Sequence, residues 1–420
     1  MRKRSIAARV LVGASLAGTL AACSSILGFH EVTLLADDGG VSGSDATSPG
    51  SLTDSAPDTF VPDGGGSAPD GAGDALPGDA SCADITTAAN CGRCGHSCLG
   101  GMCTGGVCQP IPLLLNLLDP QEIAVDGTSI YVASTGDKKV IKANKADGKG
   151  YVVVAAGDGV AGQAHSVKVD STFIYYTDDY GGTPSGSVYR CPLAGCAGNA
   201  PLPIYATANQ PRAIAVAGPN VFWAEGDGSK IRRALNDGGS LVTLVDAYDA
   251  GLAPNRMALD DKYVYFTDDS NYTLGIARVP QDGGALQQLV NGAGKTYGVA
   301  VSSVGLFYTA GGFTDGVVIL MPKTGIDGGP PPAFAALQVF PAGIVTDAKN
   351  VYWANNGALN APTGAIQYCP LTGCGGQGPI SLATGQAGPL EIALDADAVY
   401  WVNNGINTGA GGAAMKVAKP

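Results

Sequence analysis

Charge is scarce in this sequence, and positive charge is scarcer still. Charged residues fill 14% of 420 positions, with 24 Lys and Arg against 36 Asp and Glu. Between Arg9 and Arg93 there is no Lys or Arg at all. The net charge of −12 excludes a nucleic-acid-binding surface, which needs clustered cations to displace phosphate counterions. Long apolar runs are missing too: beyond the amino terminus none approaches the roughly 18 residues a membrane-spanning helix needs. Histidine occurs only at His30, His96 and His165, which leaves acid–base chemistry few candidates. Against these gaps stand 63 Gly and 26 Pro, a supply that favours many turns over long helices.

Residues 1–22 read as an export signal. Arg2, Lys3 and Arg4 form a basic start, and residues 10–20 a short apolar stretch. It ends in Leu20-Ala21-Ala22-Cys23, which resembles the lipobox of bacterial lipoproteins. The resemblance implies a diacylglyceryl group on the Cys23 thiol and cleavage before that residue. An ordinary secretory signal is the rival. Ser24 is not the Asp that retains some lipoproteins in the inner membrane, so the expected place is the outer membrane or cell surface. Residues 23–80 then form the anchor and a tether. From Ala36 to Ala80 the chain is Asp, Gly, Ser, Ala and Pro with almost nothing large, so ordering it would not be repaid by burial. As a flexible coil it would span roughly 35–40 Å.

Residues 81–109 hold six cysteines: Cys82, Cys91, Cys94, Cys98, Cys103 and Cys108. In an exported chain without an apolar core here, they read as three disulfides, with fifteen possible pairings. The alternative is zinc, because Cys91-Gly-Arg-Cys94 with His96 and Cys98 has ligand-like spacing. The run from Asn90 to Cys108 resembles a Cys-rich segment common in myxobacterial surface lipoproteins. Two further pairs, Cys191-Pro-Leu-Ala-Gly-Cys196 and Cys369-Pro-Leu-Thr-Gly-Cys374, occupy equivalent places in a repeat and are expected to pin one hairpin each. With Cys23 lipidated, no thiol remains as a nucleophile.

That repeat organises residues 110–420. An apolar triplet, an acidic turn and a second, aromatic-rich run appear together in Met257-Ala-Leu-Asp-Asp-Lys-Tyr-Val-Tyr-Phe-Thr-Asp268. The unit begins at Ile123, Val167, Ile214, Met257, Val299, Ile344 and Ile392, and its second strand starts seven residues later each time. Spacings of 42 to 48 residues, with four strand-like runs in most copies, are those of propeller blades. The last copy lacks its fourth run, which Leu113-Leu-Leu-Asn-Leu-Leu118 supplies from the amino-terminal side. The expected fold is therefore all-β: a seven-bladed β-propeller closed by an N-terminal strand. Val264-Tyr-Phe-Thr-Asp268 and Ile174-Tyr-Tyr-Thr-Asp178 resemble the YWTD signature of lipoprotein-receptor propellers, and the repeat is similar to NHL propellers. The YWTD domains have six blades, which makes six the alternative count. All three Trp (Trp223, Trp353, Trp401) fall at one position of the second run, as a packing site between blades would require.

Candidate ligand-binding residues lie where the chain enters each inner strand. Glu122, His165, Arg212, Arg256, Tyr297 and Glu391 are the polar and aromatic ones, and a channel mouth lined by them suits a zwitterionic or sugar ligand. The loops between second and third strands carry Asp178, Glu225, Asp268, Asn355 and Asn403; calcium would suit such oxygens, although a solvated rim is the simpler expectation. Asp126, Asp170, Asp260, Asp347 and Asp395 recur at the first turn and read as turn formers. No cofactor is called for. The expected function is a monomeric, membrane-tethered, non-catalytic binding or scaffold module for a protein or glycan at the propeller's loop face. Its rival is a lyase or lactone hydrolase, with His165 or Glu122 as general base and a metal held by loop carboxylates.

Overall fold

The computed structural model describes residues 82 and 84–420, apart from 157–161, 180–185, 197–199, 227–228, 248–251, 269–274, 291–292, 359–360 and 406–410. All belong to the second of two compact units, residues 72–420. The signal peptide, Cys23 and all of the tether at residues 23–80 lie outside the described residues.

Seven four-stranded antiparallel sheets form the propeller. From blade 1 to blade 7 the inner strands are Pro120–Val125, Gln163–Val169, Pro211–Ala217, Pro254–Leu259, Thr296–Val301, Pro341–Thr346 and Pro389–Leu394. Each inner strand neighbours the next, and blade 7 returns to blade 1. The last blade is completed by Ile111–Leu117, antiparallel to Gly412–Ala418 with Ile111 opposite Lys416 and Leu117 opposite Gly412. The N-terminal closure expected from the sequence is what the structure contains. Ile111–Leu117 is the outermost strand of blade 7 and covers the edge that Gly412–Ala418 would otherwise expose.

Seven apolar clusters sit one at each blade interface. Trp223 meets Tyr175 and Val188 of blade 2, and Trp353 meets Phe307 of blade 5. All three Trp are fully buried, each removing a large apolar area from water. Their indole N–H groups donate to Glu225 at 3.1 Å, Gln338 at 2.9 Å and Gln386 at 3.2 Å.

Two faces follow from the strand ends. On the turn face, the first hairpin of six blades accepts a hydrogen bond from the loop after the third strand; Lys145 N–H donates to Thr128 O and Lys419 N–H to Asp397 O. On the loop face, the loop after the second strand donates back to the segment entering the blade, as Asn356 N–H does to Phe340 O and Asn404 N–H to Gly388 O. That entering segment is tight. A Cβ on Gly364 would lie 2.3 Å from Cδ of Pro389, and one on Gly412 would lie 2.5 Å from Pro120, so glycine lets one blade accept the next. The same segment turns through left-handed backbone: Asn116 and Asp119 lead into blade 1, Gly385 and Gly388 into blade 7. Into blade 6 the corresponding residues are Leu337 (φ 57°) and Phe340 (φ 53°), types for which this conformation costs about 1–2 kcal/mol each.

The six N-terminal cysteines pair as Cys82–Cys94, Cys91–Cys103 and Cys98–Cys108, and the repeat cysteines as Cys191–Cys196 and Cys369–Cys374. Sulfurs of Cys91, Cys98 and Cys103 gather closely, but disulfides explain their meeting and the zinc alternative falls away. The module has no core of its own and borrows one: Cys91, Cys98 and Cys108 share a cluster with Val399, Val417 and Ala418. His96 joins the two parts, with Nδ1 2.6 Å from Cys91 O and Nε2 2.7 Å from Lys419 O.

Candidate functional site

The inner strands carry one residue per blade at the level of Glu122. Around the ring these are Glu122, Ser166, Ala213, Arg256, Gly298, Gly343 and Glu391, set by the strand registers. Four of the seven are thus small or carry only a hydroxyl, and the three glycine and alanine positions open the axis. The result is a cavity of about 270 Å³ bordered by Glu122, Ser166, Lys168, Arg256 and Glu391, with an aliphatic wall including Val299 and Ile344.

Its charges are engaged with one another. Glu122, 5% exposed, takes a hydrogen bond from Ser166 Oγ and an ion pair from Lys168, both on blade 2. Arg256 of blade 4 crosses the axis and pairs through Nε with Glu391 of blade 7, while its Nη1 donates to Asn255 Oδ1 at 2.9 Å. A Cβ on Gly343 would lie 2.8 Å from Glu391 Oε2, so glycine makes room for that carboxylate.

His165, Arg212 and Tyr297 lie one residue earlier in their strands, above the cavity rather than in its wall. His165 Nδ1 is 3.0 Å from Arg212 O and donates to it in the neutral ring. Burial first, then the Arg256 charge, pull the His165 pKa down to about 4, against the opposing carbonyl bond and Glu122. Arg212 Nη2 donates to Gln210 at 3.1 Å. Tyr297 turns outward to Phe340, ring centres 4.9 Å apart, and Phe340 stacks on Phe313 at 4.9 Å.

The six sequence candidates therefore separate. Glu122, Arg256 and Glu391 converge on the axis; His165 and Arg212 form a pair at the mouth; Tyr297 belongs to an aromatic group on blades 5 and 6. Ser166 and Lys168 are not among those candidates, although the offset between copies places Ser166 level with Glu122. Phe313 lies in a loop, and Phe340 stands where other joints have Asp119 and Gly388, so no shared residue type points to either.

The expected solvated rim needs correction. Glu225 is fully buried, Asp268 is 2% exposed, and Asn355 and Asn403 are 6% exposed. Glu225 accepts from Trp223 and Arg232, and the two asparagines donate to Gln338 and Gln386 at 2.8 and 3.0 Å. These positions tie adjacent strands and blades together.

The first-turn aspartates do more than form turns. In five blades Oδ1 accepts the N–H groups two and three residues on, and Oδ2 accepts the hydroxyl of the tyrosine five residues on: Tyr131, Tyr175, Tyr265, Tyr352 or Tyr400. The remaining blades have Ala217 with Phe222 and Ser302 with Phe307, so acid and hydroxyl are lost together.

No protein-family model matches the chain, and no curated protein does. Solved structures do. A catalytically inactive histidine-to-alanine variant of virginiamycin B lyase from Staphylococcus aureus, with quinupristin, matches at 17% identity and TM-score 0.54, covering 74% of this chain and 100% of that one. The WD40 propeller domain of Doa1 matches at 12% identity and TM-score 0.52, over 73% of this chain and 95% of its own. The Dos1 propeller matches at 10% identity and TM-score 0.51, over 74% and 94%. At these identities they establish a shared fold.

Proposed function

We propose that the propeller is a non-catalytic binding module, presented outside the cell by a lipid on Cys23 and the tether of residues 23–80. One observation carries the reading: the charged groups at the axis satisfy each other, and the mouth's imidazole is a poor base. A general base works best with a pKa near the operating pH, whereas His165 sits at about 4. Glu122 is occupied by Ser166 and Lys168, and Glu391 by Arg256. Binding is left to the loop face, with a protein or glycan as partner and the chain as a monomer. Five disulfides fit an oxidising compartment, and the outer membrane or cell surface is the proposed location.

A panel of lyase and lactone-hydrolase substrates, with and without added divalent metal, should show no turnover. Turnover lost in His165→Ala would replace this reading with the enzymatic one, which the lyase among the solved propellers keeps in view. Detergent partitioning of the wild type, abolished by Cys23→Ala, checks the anchor; unchanged partitioning of that variant would remove it.

A further inference from the structure

The Cys-rich module meets the propeller at a side chain whose hydrogen bonds do not balance in its neutral form. His96 has Nδ1 2.6 Å from Cys91 O, inside the module, and Nε2 2.7 Å from Lys419 O, on the tail of blade 7. A carbonyl oxygen only accepts, and a neutral imidazole carries a single N–H. Unless the ring holds both protons, one of these short contacts is a hydrogen bond and the other sets a lone pair against an oxygen. The imidazolium donates on both sides at once, and its charge strengthens both bonds. The contact within the module is the more secure, because Cys91 N–H returns a bond to His96 O at 2.8 Å and the Cys91–Cys103 disulfide closes the same loop. The contact with Lys419 is the one that a neutral ring gives up.

Its position gives that choice a consequence. Cys108 lies just ahead of Ile111, where the closing strand begins, so the module is covalently continuous with the outermost strand of blade 7. Lys419 follows Gly412–Ala418, the strand paired with it. Through His96 the module therefore holds both of the strands that close the ring. The hollow around the imidazole is lined by Arg93 of the module and, from the propeller, by Asp397, Lys419 and Pro420 with its terminal carboxyl. Lys419 is paired through its ammonium with Asp347 at 2.8 Å, and Tyr368 of blade 6 packs against the cluster that holds the module's cysteines. We propose that His96 is a proton-operated latch: doubly protonated, it clamps the Cys-rich module onto blade 7, and loss of one proton releases Lys419 O. A free imidazole gives up that proton at about pH 6.5. The docked module holds a proton that the released one loses, so docking is firm in acid and weakens as pH rises. Release leaves the ring closed by Ile111–Leu117, which makes the device a local opening separate from unfolding of the propeller.

The probe is a water-soluble phosphine reductant applied to the full chain, with freed thiols mapped by alkylation. Cys98 and Cys108 are 2% and 4% exposed in the cluster shared with Val399 and Val417, so their disulfide is reduced only when the module opens. Cys82–Cys94 lies outside that cluster and reports the reagent's own pH dependence. The rate at Cys98–Cys108 relative to Cys82–Cys94 should rise roughly three- to tenfold from pH 5 to pH 8, the worth of one net hydrogen bond. His96→Gln, whose amide donates without titrating, should remove that rise. His96→Leu, which has no donor, should open readily at both pH values. A wild-type ratio that stays flat or falls with rising pH overturns the latch whatever the variants do. So does a rise that survives in either variant, or a His96→Leu rate as slow as that of the wild type at pH 5.

Discussion

The two faces of the propeller are built on opposite terms. The turn face repeats one device: an aspartate that clamps its own hairpin and a tyrosine from the adjoining strand, in five blades of seven. The loop face repeats its backbone but varies its side chains, so that one blade presents His165, another Arg212 and another Tyr297. Neighbouring blades reinforce the turn face as well, with Lys145 on Asp395 at 2.7 Å and Lys419 on Asp347 at 2.8 Å. A feature copied around a ring is doing the same structural task each time. The turn face departs from its repeat where the Cys-rich module docks, through His96 on Lys419, whereas the loop face changes its side chains from blade to blade.

The sharpest way to break the ring lies outside both faces. Removing residues 1–119 strips the closing strand and exposes the edge of Gly412–Ala418; removing residues 1–109 keeps it. The first truncation should aggregate and the second remain folded, although weakened where Cys98 and Cys108 no longer cover Val417. Equal thermal stability of the two would contradict closure by this strand.

Breaking the turn face within a closed ring should cost less. Asp395→Ala removes acceptors for two backbone N–H groups, the Tyr400 hydroxyl and Lys145, and should destabilise by about 2–3 kcal/mol in urea unfolding. Tyr400→Phe should cost about 1 kcal/mol, because the aspartate keeps its other partners. The comparison also runs in reverse. Phe222→Tyr alone should destabilise, since it buries a hydroxyl against Ala217, and adding Ala217→Asp should recover that loss. A double-mutant cycle without coupling between the two positions would mean that the staple is not a unit.

At the axis, Arg256→Ala leaves Glu391 without its cross-channel cation, and it should destabilise by about 1–2 kcal/mol. Arg256→Ala combined with Glu391→Gln should be milder than the first change alone. If the two effects simply add, the crossing pair is not holding blades 4 and 7 together.

What the sequence made legible follows the same division. Periodicity revealed the blades, their order, the closing strand and the shared Trp position, because each recurs at a constant offset. The Asp–Tyr staple was equally periodic, yet only its aspartate was recognised; the loss of acid and hydroxyl together at Ala217 and Phe222 was the signal for its partner. The polar residues at the mouth were found, but their pairing was not, since Arg256 and Glu391 are 135 positions apart. Nothing in spacing says that an arginine will cross an axis. Phe313 and Phe340 were invisible for a related reason: Phe313 lies in a loop, and Phe340 is the exception at a position where other joints have Asp119 and Gly388, so neither recurs.

A last expected effect separates the two faces by proton binding. His165 has its folded pKa pulled from 6.5 to about 4, so over that interval the unfolded chain holds a proton that the folded chain does not. Stability from this residue is therefore complete above 6.5 and declines as pH falls towards 4. The staple aspartates behave differently. Burial raises the pKa of Asp126, Asp260, Asp347 and Asp395, but hydrogen bonds from backbone, tyrosine or lysine outweigh it and hold each below 3.8. Their contribution is complete above that value and is lost only as pH drops through their lowered pKa values. Thermal melts from pH 7 to 3 should accordingly show a shallow decline first and a steeper one below about 4. His165→Gln should flatten the upper limb and leave the lower one in place, whereas Asp395→Ala should reduce the lower limb alone. A shallow decline that survives His165→Gln would assign it to some other group and remove the argument that this imidazole is held neutral at the mouth.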